Sequence, residues 1–288
     1  MTEFILQSIF IPLAVAVVLL LLPRLPWSVD VGRRITAWTA APALGAAAIL
    51  SLYIIEGLDI WMLTQRWYSL WVSALIVAIG GALACRNSSD RDGSCENTSK
   101  KTHFWLLFFT AALAILFLQM PNYDGLPVRL SIAMVAGVAS LLMIRPARFA
   151  PVATPFALCI SLGAVAILLI VSGSMKVGLV AFTLSLTSGA CAAMAFFGRG
   201  FSGGPPYAMA GTTLLIALGL YGISYHDSPG VPITSWSIVS FAPVLLCMIG
   251  RTPSRTSIRI AIFGVVIVCA TTAIIALQAA QEHASEKI

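Results

Sequence analysis

Apolar runs of bilayer length alternate with short polar connections along this chain, at 4–22, 35–55, 67–85, 104–120, 128–144, 152–171, 175–197, 207–225, 233–250 and 258–280. An α-helix needs roughly 20 residues to cross a hydrocarbon core of about 30 Å. The pattern therefore predicts an all-α integral membrane protein of about ten transmembrane helices. Residues 1–288 form a single polytopic unit with no soluble domain. The first run has no basic residue before it, and Pro23-Arg24-Leu25-Pro26 rather than a small-residue cleavage pattern after it, so it reads as a retained span. Only Ser172-Gly173-Ser174 separates the sixth and seventh runs, which predicts an antiparallel hairpin of touching helices. Pro12, Pro42, Pro155 and Pro243 fall inside runs. Of these, Pro42 and Pro243 are expected to break their helices.

Composition agrees with the pattern. A hydrophobic fraction of 59% with 10% charged residues does not supply the hydrated surface of a soluble domain. Charge adds orientation. The connections after the odd-numbered runs hold 13 of the 17 Lys and Arg residues, leaving Arg66, Arg129, Lys176 and Lys287 on the other side. Basic residues in short loops are retained in the cytoplasm, so both termini are expected outside. One face then carries 13 basic residues against Asp30, Asp90, Asp92 and Glu96, a net of +9, and the other a net of −3. Membrane insertion accounts for that polarity without nucleic acid, and it suits a bacterial cytoplasmic (inner) membrane with lipids as the first partners. The long polar segment 86–103, RNSSDRDGSCENTSKKTH, reads as a mobile cytoplasmic loop.

The sharpest chemical feature is what the runs lack. All eleven Asp and Glu residues and all three His residues fall in connections, tails or run ends. Proton relays and ion-coupled carriers normally keep an ionisable group at membrane depth. Cys159, Cys191, Cys247 and Cys269 lie inside apolar runs, and Cys85 and Cys95 flank the polar loop, a spacing that matches no zinc pattern. No metal is expected. The GxGxxG at Gly198–Gly203 follows an apolar run instead of a strand and lacks the acidic residue some 20 positions on, so no dinucleotide or other cofactor is expected. His226-Asp227-Ser228 is adjacent in sequence, which does not make a catalytic triad.

Hydroxyl and small residues carry the remaining candidates. Thr183 and Thr187 share one face of the seventh run at helical spacing and are candidates for lining a substrate path, although such residues more often glue helices together. Ala37, Ala41 and Gly45 in the second run, Ala133 and Gly137 in the fifth, and Gly189 in the seventh predict close helix packing. Arg251, Arg255 and Arg259 are candidates for holding an anionic lipid headgroup.

No catalytic constellation emerges, so an enzyme is not expected. The best functional expectation is transport or permeation of a neutral or amphipathic solute without an intramembrane proton-coupling residue. The alternative is a non-catalytic scaffold or assembly subunit that packs against partner membrane proteins. The charge-based topology has a direct test at Cys95. An impermeant thiol reagent should leave Cys95 unmodified in intact cells and modify it after lysis; labelling of intact cells would reverse the orientation.

Overall fold

The computed structural model describes residues 2–21, 29–56, 68–89, 96–118, 120, 125–197, 203–224, 231–248 and 254–285. These form α1 (Thr2–Leu21), α2 (Val29–Glu56), α3 (Tyr68–Ser89), α4 (Glu96–Leu116), α5 (Leu126–Phe149), α6 (Ala153–Val171), α7 (Met175–Phe197), α8 (Gly204–Ser224), α9 (Ile233–Phe241), a 3-10 segment (Ala242–Met248) and α10 (Arg255–Ser285). Among the described residues there is no strand. Helices α5, α6, α7, α8 and α10 are each long and apolar enough to cross a membrane, compatible with an integral membrane protein.

Helices coincide with all the apolar runs, with informative differences at their ends. Helix α2 runs unbroken through Pro42, so the expected break there is absent. A break does follow Phe241, where the chain tightens to a 3-10 segment containing Pro243. The Ala242 N–H reaches the Val239 carbonyl, three residues back, as 3-10 geometry requires. Helix α4 stops at Leu116, short of the predicted end, and α5 continues through Pro146 to Phe149. Helices α3 and α4 also take in both ends of the 86–103 segment, while residues 90–95 lie outside the described ones.

Helix α8 is the centre. Of its apolar stretch 83% is buried, against 33% for α10, and it packs on α2, α3, α4, α5, α6, α7 and α9. A helix surrounded on all sides must be apolar all round and slim. Its sequence meets both conditions through Ala208, Ala210, Gly211, Ala217, Gly219 and Gly222, all buried. A Cβ built on Gly211 would come within 2.5 Å of Leu158 on α6, and one on Gly222 would enter the ring of Trp236 on α9. Around α8 stand, in spatial order, α2, α3, α4, α5, the ninth-helix region, α6 and α7. Helix α1 lies outside α2 and α7, and α10 lies outside α6, α9 and the 3-10 segment.

Prolines inside helices release carbonyls that neighbouring helices then satisfy. Pro12 has no N–H to give the Ser8 carbonyl four residues back. The Ser51 hydroxyl of α2 donates to that carbonyl at 3.1 Å. Pro146 releases the Leu142 carbonyl in the same way, and the Cys247 thiol of the 3-10 segment donates to it at 3.2 Å. The end of α4 is closed similarly. Ser73 of α3 donates to the Ala114 carbonyl at 2.6 Å, and Arg129 of α5 donates to the Leu116 and Leu118 carbonyls at 2.9 and 2.8 Å. Where water is excluded, such bonds replace those the helix has lost.

The Pro12 site makes this measurable. Ser51→Ala should lower stability by about 1 kcal/mol, because it strips the donor from a buried carbonyl. In a Pro12→Ala background the same change should cost almost nothing, since the substituted residue supplies its own backbone N–H to the Ser8 carbonyl. Thermal unfolding of the four proteins in detergent gives the coupling, and equal losses in both backgrounds would remove Pro12 as the cause.

Candidate functional site

The expected path residues Thr183 and Thr187 sit in the interior of α7, both fully buried. Each bonds its own helix: Thr183 Oγ1 donates to the Leu179 carbonyl and Thr187 Oγ1 to the Thr183 carbonyl, both at 2.9 Å. Thr183 Oγ1 also stands 3.5 Å from the Ser8 carbonyl released by Pro12. Its position suits a bridge between α7 and α1. Ser185, on another side of α7, donates to the Cys159 carbonyl of α6 at 2.7 Å.

The small residues meet neighbouring helices. A Cβ on Gly45 would lie 2.6 Å from Ala78 on α3, and Ala41 receives Gly81 of α3 at the corresponding distance of 2.5 Å. Gly137 faces the ring of Phe108 on α4, which would stand 2.6 Å from an added Cβ, and Ala133 is buried one turn earlier. Gly189 is half-buried with Cys159 Sγ 3.3 Å from its built Cβ. Ala37 lies in α2, but its side chain is outside the described residues, as is Arg251. Arg255 and Arg259 are exposed on the first two turns of α10, whose start is capped by a Ser257 N–H to Ser254 Oγ bond of 3.0 Å. The Gly198–Gly203 turn and the His226 trio fall outside the described residues, apart from Gly203.

A groove that no sequence pattern announced opens between α5, α8 and α9. Its volume is about 220 Å³, and its walls are Ser131, Ile132 and Val135 of α5 and Ser237, Ser240 and Phe241 of α9. Its floor is Ile216, Gly219, Leu220 and Ile223 of α8. The shape follows from the ninth-helix break. Helix α5 packs on the 3-10 segment, where the Cys247–Leu142 bond ties the two together, while α9 proper stands away from α5. The walls thus converge at one end and splay at the other, leaving α8 uncovered between them.

Polar chemistry inside the groove is sparse and uncharged. Ser131 and Ser237 bond back to the Pro127 and Ile233 carbonyls of their own helices, at 2.9 and 3.4 Å. Ser240 differs: it is 4% exposed, and its hydroxyl has no partner. That oxygen lies directly over Gly219, where any Cβ would collide with it. Behind it Trp236 is fully buried with an unpartnered indole N–H. A second uncharged cluster lies where α7 meets α8, with the Tyr207 phenol beside Ser188 and Cys191 but outside hydrogen-bond geometry. It lines no part of the groove.

Among the described residues, no group of three or more His, Cys, Asp or Glu side chains is placed to hold a metal ion. No family model, curated protein or solved structure matches the chain. Function must therefore be reasoned from the site itself.

The Gly219–Ser240 contact sets the spacing of α8 and α9 and is open to a swap. Gly219→Ala alone should destabilise by about 1–3 kcal/mol through overpacking. Adding Ser240→Gly removes the colliding atom and should recover most of that loss. Melting temperatures in detergent report both, and no recovery in the double variant would place the contact elsewhere.

Proposed function

We propose that the chain crosses the membrane ten times with both termini outside, and that it transports or passes a neutral or amphipathic solute. No side chain titrates at membrane depth in this reading. The supporting observation is the character of the buried polar residues, which among the described ones are all Ser or Thr. Uncharged hydroxyls can guide a solute, but they cannot take up and release a proton near neutral pH. The groove beside the interrupted ninth helix is the place for solute to meet protein, as broken helices lining cavities serve in transporters. Its lining makes it a stronger candidate for the path than Thr183 and Thr187, whose hydroxyls are engaged with their own helix.

The partners in this reading are membrane lipids, with Arg251, Arg255 and Arg259 at anionic headgroups on the cytoplasmic side of a bacterial inner membrane. No nucleic acid, cofactor or catalytic step enters. A second reading, an assembly subunit docking against other membrane proteins, is favoured by the aromatic surface of α4. There Phe104, Trp105 and Phe109 are exposed, with Trp105 edge-on to Phe104 and tilted against Phe109.

Proteoliposomes separate the two readings. Radiolabelled sorbitol and nitrobenzoxadiazole-labelled phosphatidylcholine serve as neutral and amphipathic probes, each with and without an imposed pH step. Transport predicts movement of at least one probe above empty vesicles and no accumulation driven by the pH step. Thr183→Val and Thr187→Val should each leave the rate within about twofold, a change worth only ~0.4 kcal/mol in a barrier. A larger fall would move the path to α7. Proton-driven accumulation would remove the uncoupled mechanism, and movement of neither probe would leave the assembly reading standing.

A further inference from the structure

We propose that α10 is a dimerisation helix: its outward face packs against α10 of a second copy of this chain, parallel and in register, around a two-fold axis along the membrane normal. The inference goes beyond the transport reading and does not depend on it.

Position comes first. Helix α10 stands at the edge of the bundle, on α6, α9 and the 3-10 segment, and only 33% of its apolar stretch is buried. Its outward face carries Ile260, Phe263, Ile267, Ala270, Ile274 and Leu277, all exposed. Their spacing alternates three and four residues, the rhythm of a coiled-coil seam.

Exposure alone does not select α10, because α5 shows such a row at Val135, Val138 and Leu142. Residue type does. One seam position of α10 is always Ile, at 260, 267 and 274, while the other holds Phe263, Ala270 and Leu277. β-branched side chains at the first position, with none at the second, favour two parallel strands. Copies inserted into one membrane share their orientation, so a second copy brings the same helix alongside in parallel, each residue meeting its own counterpart.

Gly264 is the second observation. Glycine weakens a helix interior and is kept in membrane helices where something must come close. Gly45, Gly137, Gly211 and Gly222 each have such a neighbour: a Cβ built there would run into Ala78, Phe108, Leu158 and Trp236 respectively. At Gly264 the nearest side chain is Leu245 at 4.0 Å, an ordinary contact. Nothing among the described residues requires glycine there, and a neighbouring helix from a second copy does.

Thr271 and Gln278 follow Gly264 at seven-residue intervals, both exposed, so a row of small and polar residues flanks the Ile seam. Such rows let membrane helices close in and bond to one another. The Gln278 amide is both donor and acceptor, and across a two-fold axis it pairs with its own copy, which lipid tails cannot do.

Cysteine crosslinking in membranes reads the seam directly. The background is the full chain with Cys85→Ser, Cys95→Ser and Cys247→Ser. Single substitutions Ile267→Cys and Ile274→Cys probe the seam, and Val138→Cys on α5 and Phe109→Cys on α4, both exposed, serve as comparisons. Oxidation should link the seam variants about tenfold more than the comparisons, which corresponds to about 1.4 kcal/mol of preferred association. Gln278→Leu makes the face more apolar, yet it should lower the seam yield about threefold, the effect of one interhelical hydrogen bond in a bilayer.

Ala270→Trp starts from an exposed position and Gly264→Leu has room within the chain, so both should keep the melting temperature in detergent while abolishing the seam crosslink. Equal yields at all four probe positions would overturn the seam. A seam crosslink that survives both Ala270→Trp and Gly264→Leu, or that falls in proportion as the membrane is diluted with lipid, would reflect collision and overturn the dimer. An unchanged yield in Gln278→Leu would overturn the amide contact. Because no flux is measured, a protein that moves neither vesicle probe still passes or fails this test on its own terms.

Discussion

A bilayer core excludes water, so a backbone carbonyl released there has to be answered by another part of the chain. In a soluble helix a proline releases one carbonyl to solvent at modest cost. Here Pro12 and Pro146 release the Ser8 and Leu142 carbonyls inside the bundle, and Ser51 and Cys247, on other helices, donate to them. The proline then dictates which neighbour must lie alongside and which of its residues must carry a proton. Ser73 and Arg129 do the same for the carbonyls at the end of α4. Arg129 thereby has a structural duty that a tally of loop charges does not reveal.

The same demand shapes the groove. Helix α8 is slim enough to be enclosed because its glycines and alanines let neighbours approach to backbone distance. Enclosure is complete except in the gap between α5 and α9. There the change to 3-10 geometry after Phe241 carries the chain to α5 at one end and leaves the helices parted at the other. Pro243 sits just after that change, and Cys247 fixes the closed end through the carbonyl that Pro146 releases. Two prolines on different helices thus cooperate in a single contact, and the opening above it follows from that contact.

Helix positions were legible in the sequence because a helix long and apolar enough to cross a bilayer, such as α5, α6, α7, α8 or α10, is marked by length and apolarity, and both are local properties. What prolines do was only partly legible. Pro42 lies within an unbroken α2, and Pro146 escaped notice because the apolar run closes at Ile144, before Arg145. A proline's effect depends on whether a donor waits on another helix, which no single run records. The hydroxyls of Thr183 and Thr187 stood out by spacing, yet their short bonds, both 2.9 Å, are internal to α7, and the one further reach, from Thr183 to the Ser8 carbonyl, ties α7 to α1. The groove was not legible at all. Its lining comes from residues scattered between 131 and 241 on three helices, and each of them alone is an ordinary apolar or serine position. One local trace was available: Gly219 and Gly222, three apart, mark the face of α8 that α9 approaches most closely.

In the transport reading, the lack of fully buried charged side chains among the described residues limits the kind of energy the protein could use. Discriminating a solute by charge requires a fixed opposite charge or helix dipole nearby, and coupling to a proton requires a group that titrates. The described interior offers Ser and Thr hydroxyls, thiols, one indole N–H and one phenol, with the partly buried Arg129 guanidinium taken up by the carbonyls at the end of α4. Such groups discriminate by shape and by counting donors and acceptors, each worth on the order of 1 kcal/mol. In the transport reading, a site assembled from them would have modest affinity and release its occupant readily. That suits a molecule already concentrated in the membrane, where weak binding suffices, better than one captured from dilute solution.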